Sequence, residues 1–265
     1  MKGPGDGGDV RSKTAVRFSP TLRVFSTIRI NDRSGHRKSD FMNPRGRGGE
    51  RSSLPAITLM LLFINLGFFA ATVGPDLRLG EGVAENLGLV PATLSAGTRL
   101  WTLITHMFLH ADVTHITFNM AALLFLGSSL ERRIGSARFA CVYLISGVAA
   151  ALVFVLLNPL SSTPAVGASA AIFGVMGTLT LLYPTSLIFV LFVPVPTLLV
   201  SVLYTFAIIN IIQTGAAGWV AQEAHLAGLL SGMVLAFELR PGDAVRGLAA
   251  FLACLVSMMV AVSLL

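Results

Sequence analysis

Beyond its first 53 residues the chain is poor in charge. Twelve of its 19 lysines and arginines lie in residues 1–53, which leaves only Arg78, Arg99, Arg132, Arg133, Arg138, Arg240 and Arg246 for the remaining body. The isoelectric point near 10.0 therefore describes a tail, and a nucleic-acid-binding surface is excluded. Cysteine is nearly absent as well. Cys141 and Cys254 both fall in apolar runs, where a free thiol behaves as a small hydrophobe, so no disulfide framework or redox role is expected. The sequence lacks HExxH, and no carboxylate stands at ligand spacing beside His106, His110 and His115, since Asp112 is alone. A zinc site is therefore not expected, and no cofactor is implied.

What is present is hydrophobicity: 54% of the 265 residues are apolar and the mean hydropathy is +0.77, which places the chain among polytopic membrane proteins. Residues 1–53 have almost no apolar periodicity and read as a disordered basic cytoplasmic tail. They carry neither a signal peptide's short apolar core nor the acid-poor composition of a transit peptide, and Met42 offers an alternative start. Seven apolar runs follow, at about 54–73, 114–130, 137–158, 169–183, 195–212, 222–239 and 247–265. A helix needs about 20 residues to cross about 30 Å of hydrocarbon, so seven spans are expected, the shorter ones recessed or tilted. With the tail inside, the basic connections 131–138 and 239–246 also fall inside, and the C-terminus ends outside.

Against this background Ser169, between Ala168 and Ala170, needs a reason. It opens the run PAVGASAAIFGVMGT behind Gly167, and the run from Ser169 to Tyr183 is 15 residues long, about 22 Å of helix. The preceding non-helical stretch is therefore expected to dip into the membrane, where only protein or water can surround it. His225 sits in AHLAGLLSG at the start of the sixth run. Ala170 and Gly174 share one helical face, and Ala224, Gly228 and Gly232 form a small-residue ladder on the other helix, which allows close backbone approach. Packing along these ladders brings Ser169 and His225 together as a nucleophile and its base. Phe173, one turn from Ser169, is placed to stack on the imidazole. His115 and Asn119, an i, i+4 pair in HITFN, are uncharged donors suited to an oxyanion site. Glu223 is the nearest acid to His225, but two residues along a helix point it elsewhere, so a dyad is expected and not a triad.

Taken together, GASA around Ser169, AHLAGLLSG around His225 and HITFN from His115 to Asn119 resemble the rhomboid intramembrane serine proteases, over residues 54–239. The resemblance implies an all-α fold: a six-helix catalytic core at 54–239, followed by a connecting loop and seventh transmembrane helix at 240–265 (6+1). It implies that Ser169 and His225 are the catalytic dyad, that His115, Asn119 and the Ser169 backbone N–H form the oxyanion site, and that Glu131 and Arg133, resembling the family's Glu-x-Arg, anchor the first loop. Substrates are then transmembrane segments of other proteins, cleaved near the outer face. The distribution of positive charge favours a prokaryotic plasma membrane, with the inner mitochondrial membrane, which obeys similar rules, as the alternative. The chain departs from the family pattern in two places. Ala170 stands where Gly often follows the serine, and Trp101 is followed by Thr102 instead of Arg, with Arg99 two residues earlier. The alternative is a rhomboid-like client-binding scaffold without catalysis, which requires Ala170 to obstruct the serine. A transporter is less favoured, because no intramembrane carboxylate offers an ion route.

Overall fold

Each of the seven apolar runs forms a helix in the computed structural model, which describes residues 54–190, 193–214 and 222–264. The tail at 1–53 lies outside the described residues. The first helix is α1 (Ala56–Thr72). A loop follows that carries three short helices, α2 (Val83–Leu87), α3 (Pro91–Ser95) and α4 (Thr102–Thr105), the last continued by a 3-10 turn at His106–Phe108. The second run is one helical rod in three parts: α5 (Val113–Ala122), a π turn at Leu123–Gly127 and α6 (Ser128–Ile134). Next come α7 (Ser136–Leu157), α8 (Ser169–Leu182), α9 (Thr197–Thr214), α10 (Gln222–Leu239) and α11 (Pro241–Ser263). Among the described residues, three helical stretches are long and apolar enough to cross a membrane by themselves: Val113–Ile134, Ser136–Leu157 and Pro241–Ser263.

The short helix α8 is the centre of the bundle. All of its 14 residues except Ser169 and Phe173 are buried, as expected of a helix that is apolar on every side. It packs on α7, α9, α10 and α11. Its closest neighbour is α10, because glycines line the contact. A Cβ added to Gly228 would lie 2.1 Å from the Ala170 carbonyl oxygen, and one added to Gly232 would lie 1.8 Å from that of Gly174. No other residue fits at either position without forcing the two backbones apart. Thr178 Oγ1 donates to the Gly232 carbonyl at 2.9 Å, adding a polar tie to the same seam.

Three features depart from the sequence expectation. The connection between the fourth and fifth apolar runs, which an all-α fold gives no strand, carries an antiparallel ribbon, β1 (Leu187–Val190) with β2 (Val193–Pro196), in the register Leu187 to Pro196. Pro194 and Pro196 fit because the two-stranded ribbon has a free edge that needs no donor. The expected loop before the last helix is also largely absent. Pro241 opens α11 immediately after Arg240, since proline at the first helical position loses no intrahelical bond.

The third departure concerns Glu131 and Arg133, which do not reach the first loop. The buried Glu131 carboxylate accepts hydrogen bonds from the backbone N–H groups of Ile57 (2.9 Å) and Thr58 (2.8 Å) and from the hydroxyls of Thr58 (2.8 Å) and Ser136 (2.6 Å). It thus satisfies the free donors at the start of α1, where negative charge is favoured. Arg133 donates to the Ser186 hydroxyl and lies over the Tyr183 ring at 4.6 Å, at the end of α8.

Candidate active site

The segment entering α8 is fixed by the first loop. Leu89 and Ala165 exchange backbone hydrogen bonds of 2.9 and 2.8 Å, and the Gly167 N–H donates to the His106 carbonyl at 2.9 Å. The loop itself is pinned without a Trp-Arg pair. Trp101 Nε1 donates to the Asn86 carbonyl at 3.1 Å, Arg99 donates to the Glu85 carbonyl, and Thr105 Oγ1 donates to the Leu87 carbonyl at 2.5 Å. His106 is buried and donates from Nδ1 to the Thr102 carbonyl at 2.7 Å. Burial pushes its pKa down to about 4, only partly offset by that bond. His110 is fully buried edge-on to His115, with ring centroids 5.0 Å apart. Burial first, and the neighbouring His115 second, push its pKa down to about 4 as well. Both rings are therefore neutral supports of the loop.

Clamped in this way, Ser169 meets His225 across the α8–α10 seam. Ser169 Oγ lies 2.6 Å from His225 Nε2, a distance at which the imidazole can accept the hydroxyl proton. The Phe173 ring stacks on the imidazole with centroids 4.8 Å apart and planes 27° apart. Among the described residues no carboxylate hydrogen-bonds to His225, and Glu223 lines the same cavity without doing so.

His115 approaches from α5. Asp112 Oδ1 caps this helix by accepting the His115 N–H at 2.8 Å, and His115 Nδ1 accepts the Ala111 N–H at 3.2 Å. An Nδ1 that accepts assigns the ring proton of the neutral imidazole to Nε2. That Nε2 is directed at Gly167, whose missing Cβ would lie 2.8 Å from it and 3.6 Å from Ser169 Oγ. Gly167 has φ of +128°, a conformation side chains avoid, so glycine is needed here for both backbone and space. Asn119 Nδ2 donates to the His115 carbonyl at 3.0 Å, which commits one of its two protons and leaves the other for the cavity. All of these groups line one cavity of about 1480 Å³, bounded by α5, α8, α9, α10 and the ribbon.

Residues 97–242 match the family model described as Rhomboid domain, more than half of the chain. The chain belongs to the rhomboid family. This rhomboid is similar to RHOMBOID-like protein 6, mitochondrial, of Arabidopsis thaliana, at 36% identity over 62% of the chain and 52% of that protein. It is similar to Rhomboid protease GluP of Bacillus subtilis at 32% identity over 45% of the chain, and to the putative rhomboid protease YdcA of the same bacterium at 34% identity over 69% of the chain and 87% of that protein. The chain thus spans about half of the Arabidopsis protein and 22% of GluP. Apolar helices and family together make it a membrane protein.

Of the residues that the sequence pointed to, Ser169, His225, His115, Asn119, Gly167 and Phe173 line this cavity, whereas Gly228, Gly232, Glu131 and Arg133 do not. Sequence reasoning missed Tyr204 on α9, whose ring lies 4.1 Å from Phe173. The only sequence signal for Tyr204 was an aromatic with a hydroxyl inside an apolar run.

Proposed function

We propose that this rhomboid is an intramembrane serine endopeptidase that cleaves transmembrane segments of other proteins with a Ser169–His225 dyad. The observation that carries this reading is the 2.6 Å contact between Ser169 Oγ and His225 Nε2 inside a cavity that also holds an Nε2–H donor from His115. His225 takes the Ser169 proton as Oγ attacks a peptide carbonyl, and the oxyanion is held by His115 Nε2–H, the free Asn119 Nδ2 proton and the Ser169 backbone N–H at the start of α8. His225 then protonates the leaving amine, and water hydrolyses the acyl-enzyme with His225 again acting as base. Without a third carboxylate, turnover is slow by the standards of soluble serine proteases. A bound helix has to unwind before its carbonyls are open to attack, so segments with Gly, Pro or other small residues near the outer interface are favoured.

In this reading the chain has a basic cytoplasmic tail at 1–53, a six-helix core at 54–239 and a seventh span in 240–265. The concentration of lysine and arginine in the tail and in the 131–138 and 239–246 connections supports a tail inside and a C-terminus outside, as in a prokaryotic plasma membrane. The similarity to proteins named as rhomboid proteases in Bacillus subtilis supports the activity. Against the non-catalytic scaffold stands Ala170, whose methyl belongs to a buried cluster with Ala150, Ala224 and Ala227, leaving Ser169 in contact with His225.

The test is cleavage of a fluorogenic transmembrane substrate by the purified protein, compared with Ser169→Ala and His225→Ala. Loss of cleavage in both variants, with fluorophosphonate labelling of Ser169 in the wild type, is expected. Equal cleavage by all three proteins overturns the dyad.

A further inference from the structure

An acid-less dyad leaves open what holds the imidazole square to the serine. Phe173 covers one part of the ring, but a phenyl group on a helix can itself rotate. The structure supplies a third ring. Tyr204, on α9, lies with its centroid 4.1 Å from Phe173 and 6.4 Å from His225. Since 6.4 Å is well short of the combined Phe173 distances of 4.1 and 4.8 Å, the three rings form a corner with Phe173 at its vertex, not a linear stack. In that arrangement Tyr204 packs against Phe173 from a side that the imidazole does not occupy. Its hydroxyl donates to Gln222 Oε1 at 3.3 Å. Gln222 is the first residue of α10 and precedes His225 by three.

The start and the middle of α9 are held by different means. At its start, Thr197 N–H and Oγ1 both donate to the Ser186 carbonyl at 2.8 Å, and the Ser201 and Thr180 hydroxyls meet at 2.6 Å, all buried. Further along, Tyr204 joins α9 to both helices of the dyad: to α8 through Phe173 and to α10 through Gln222. Resting on the dyad reading above, we infer that Tyr204 is a positioning residue for His225, holding Phe173 beneath the imidazole so that the base is aligned on Ser169 only while α9 is docked. A peptide carbonyl does not touch Tyr204 in this role. Its effect is on the rate of proton transfer and not on binding.

The experiment compares full-length wild type, Tyr204→Phe and Tyr204→Leu in three readouts: kcat and KM on a fluorogenic transmembrane substrate, the rate of Ser169 labelling by a fluorophosphonate, and the NMR signal of the His225 ring in histidine-labelled protein, assigned by its disappearance in His225→Ala. Tyr204→Leu is expected to lower kcat and labelling about tenfold with KM nearly unchanged, because small misplacements of reacting groups are costly. It also moves the His225 signal toward that of a free imidazole, as the ring current of Phe173 is lost. Tyr204→Phe keeps the ring and stays within about threefold of wild type, with the His225 signal in place. An unmoved His225 signal in Tyr204→Leu, a rise in KM with kcat intact, or equal losses in the Phe and Leu variants overturns the positioning role. A wild type that neither cleaves nor labels, but whose His225 signal responds as stated, overturns the protease reading and leaves the positioning role standing.

Discussion

The Cβ that Gly232 lacks would stand 1.8 Å from the carbonyl oxygen of Gly174, a backbone atom that no side-chain rotation can move aside. The spacing of α8 and α10, and with it the distance from Ser169 to His225, therefore depends on the methyl groups missing at Gly232 and, one turn earlier, at Gly228. Gly232→Ala forces the helices apart or unravels the seam. Overpacking of this kind costs about 1–3 kcal/mol, so a lower thermal midpoint is expected together with at least about a tenfold loss of Ser169 labelling. Labelling at the wild-type rate would show that the seam does not control the dyad.

On the proposed mechanism, His115→Ala removes one oxyanion donor, the Nε2–H directed at Gly167. A loss in kcat of about 10²–10³ with little change in KM is expected, the range for one oxyanion donor. Asn119→Ala should cost less, because one of its amide protons is already bound to the His115 carbonyl. Steady-state kinetics of the two variants side by side give the order.

Ala170→Gly tests whether the residue after the serine matters to chemistry. Its methyl packs among Ala150, Ala224 and Ala227. The expected result is activity within about threefold of wild type, with about 1 kcal/mol of lost stability from glycine in a helix. A large gain in cleavage would mean that the methyl crowds the nucleophile after all.

The first loop gives a pH dependence. His106 and His110, ordinarily near 6.5, are both pushed down to about 4, chiefly by burial. The unfolded chain therefore binds more protons than the folded one once the pH falls below about 6.5, and stability declines with falling pH from there to about 4. Thermal unfolding measured between pH 7.5 and 4 should show this slope. His106→Asn, which retains a donor for the Thr102 carbonyl but does not titrate, should reduce the slope to about the part that His110 supplies.

Glu131→Ala leaves the Ile57 and Thr58 N–H groups at the start of α1 without their acceptor. Hydrogen bonds to a charged group contribute about 1.5–3 kcal/mol each. A drop of several degrees in the unfolding midpoint is expected, while Ser169 in the protein that remains folded labels normally, since the carboxylate is remote from the loop that clamps Gly167. Chemical denaturation and labelling on the same samples separate the two effects.

The sequence made much of this legible because lipid imposes simple rules. Unbroken apolar runs had to become helices, so the boundaries at Gln222–Leu239 and Ser169–Leu182 follow closely from composition. Small residues four apart had to mark a close seam, and a lone serine and histidine at the starts of two such helices had to meet if the ladders interlocked. Contacts between side chains far apart in sequence were less visible. Nothing in the spacing of Glu131 and Arg133 reveals that one caps α1 and the other lies on Tyr183, and family resemblance pointed both at the first loop. The π turn at Leu123–Gly127 and the ribbon of β1 and β2 likewise escape periodicity, since the turn continues an apolar helix without a break and four-residue strands are too short for an alternation to register. Tyr204 was hidden because only the folded chain brings α9 against Phe173.

The last helix, α11, buries Ala244, Gly247 and Phe251 but little beyond them, and a Cβ on Gly247 would strike the Leu181 carbonyl at 2.1 Å. Its near half is thus a wedge driven against the foot of the rod that bears the serine, whereas its far half presents a bare aliphatic flank to whatever surrounds the protein. A deletion that stops just after Phe251 would spare the wedge, and one that reaches Gly247 would let that rod settle.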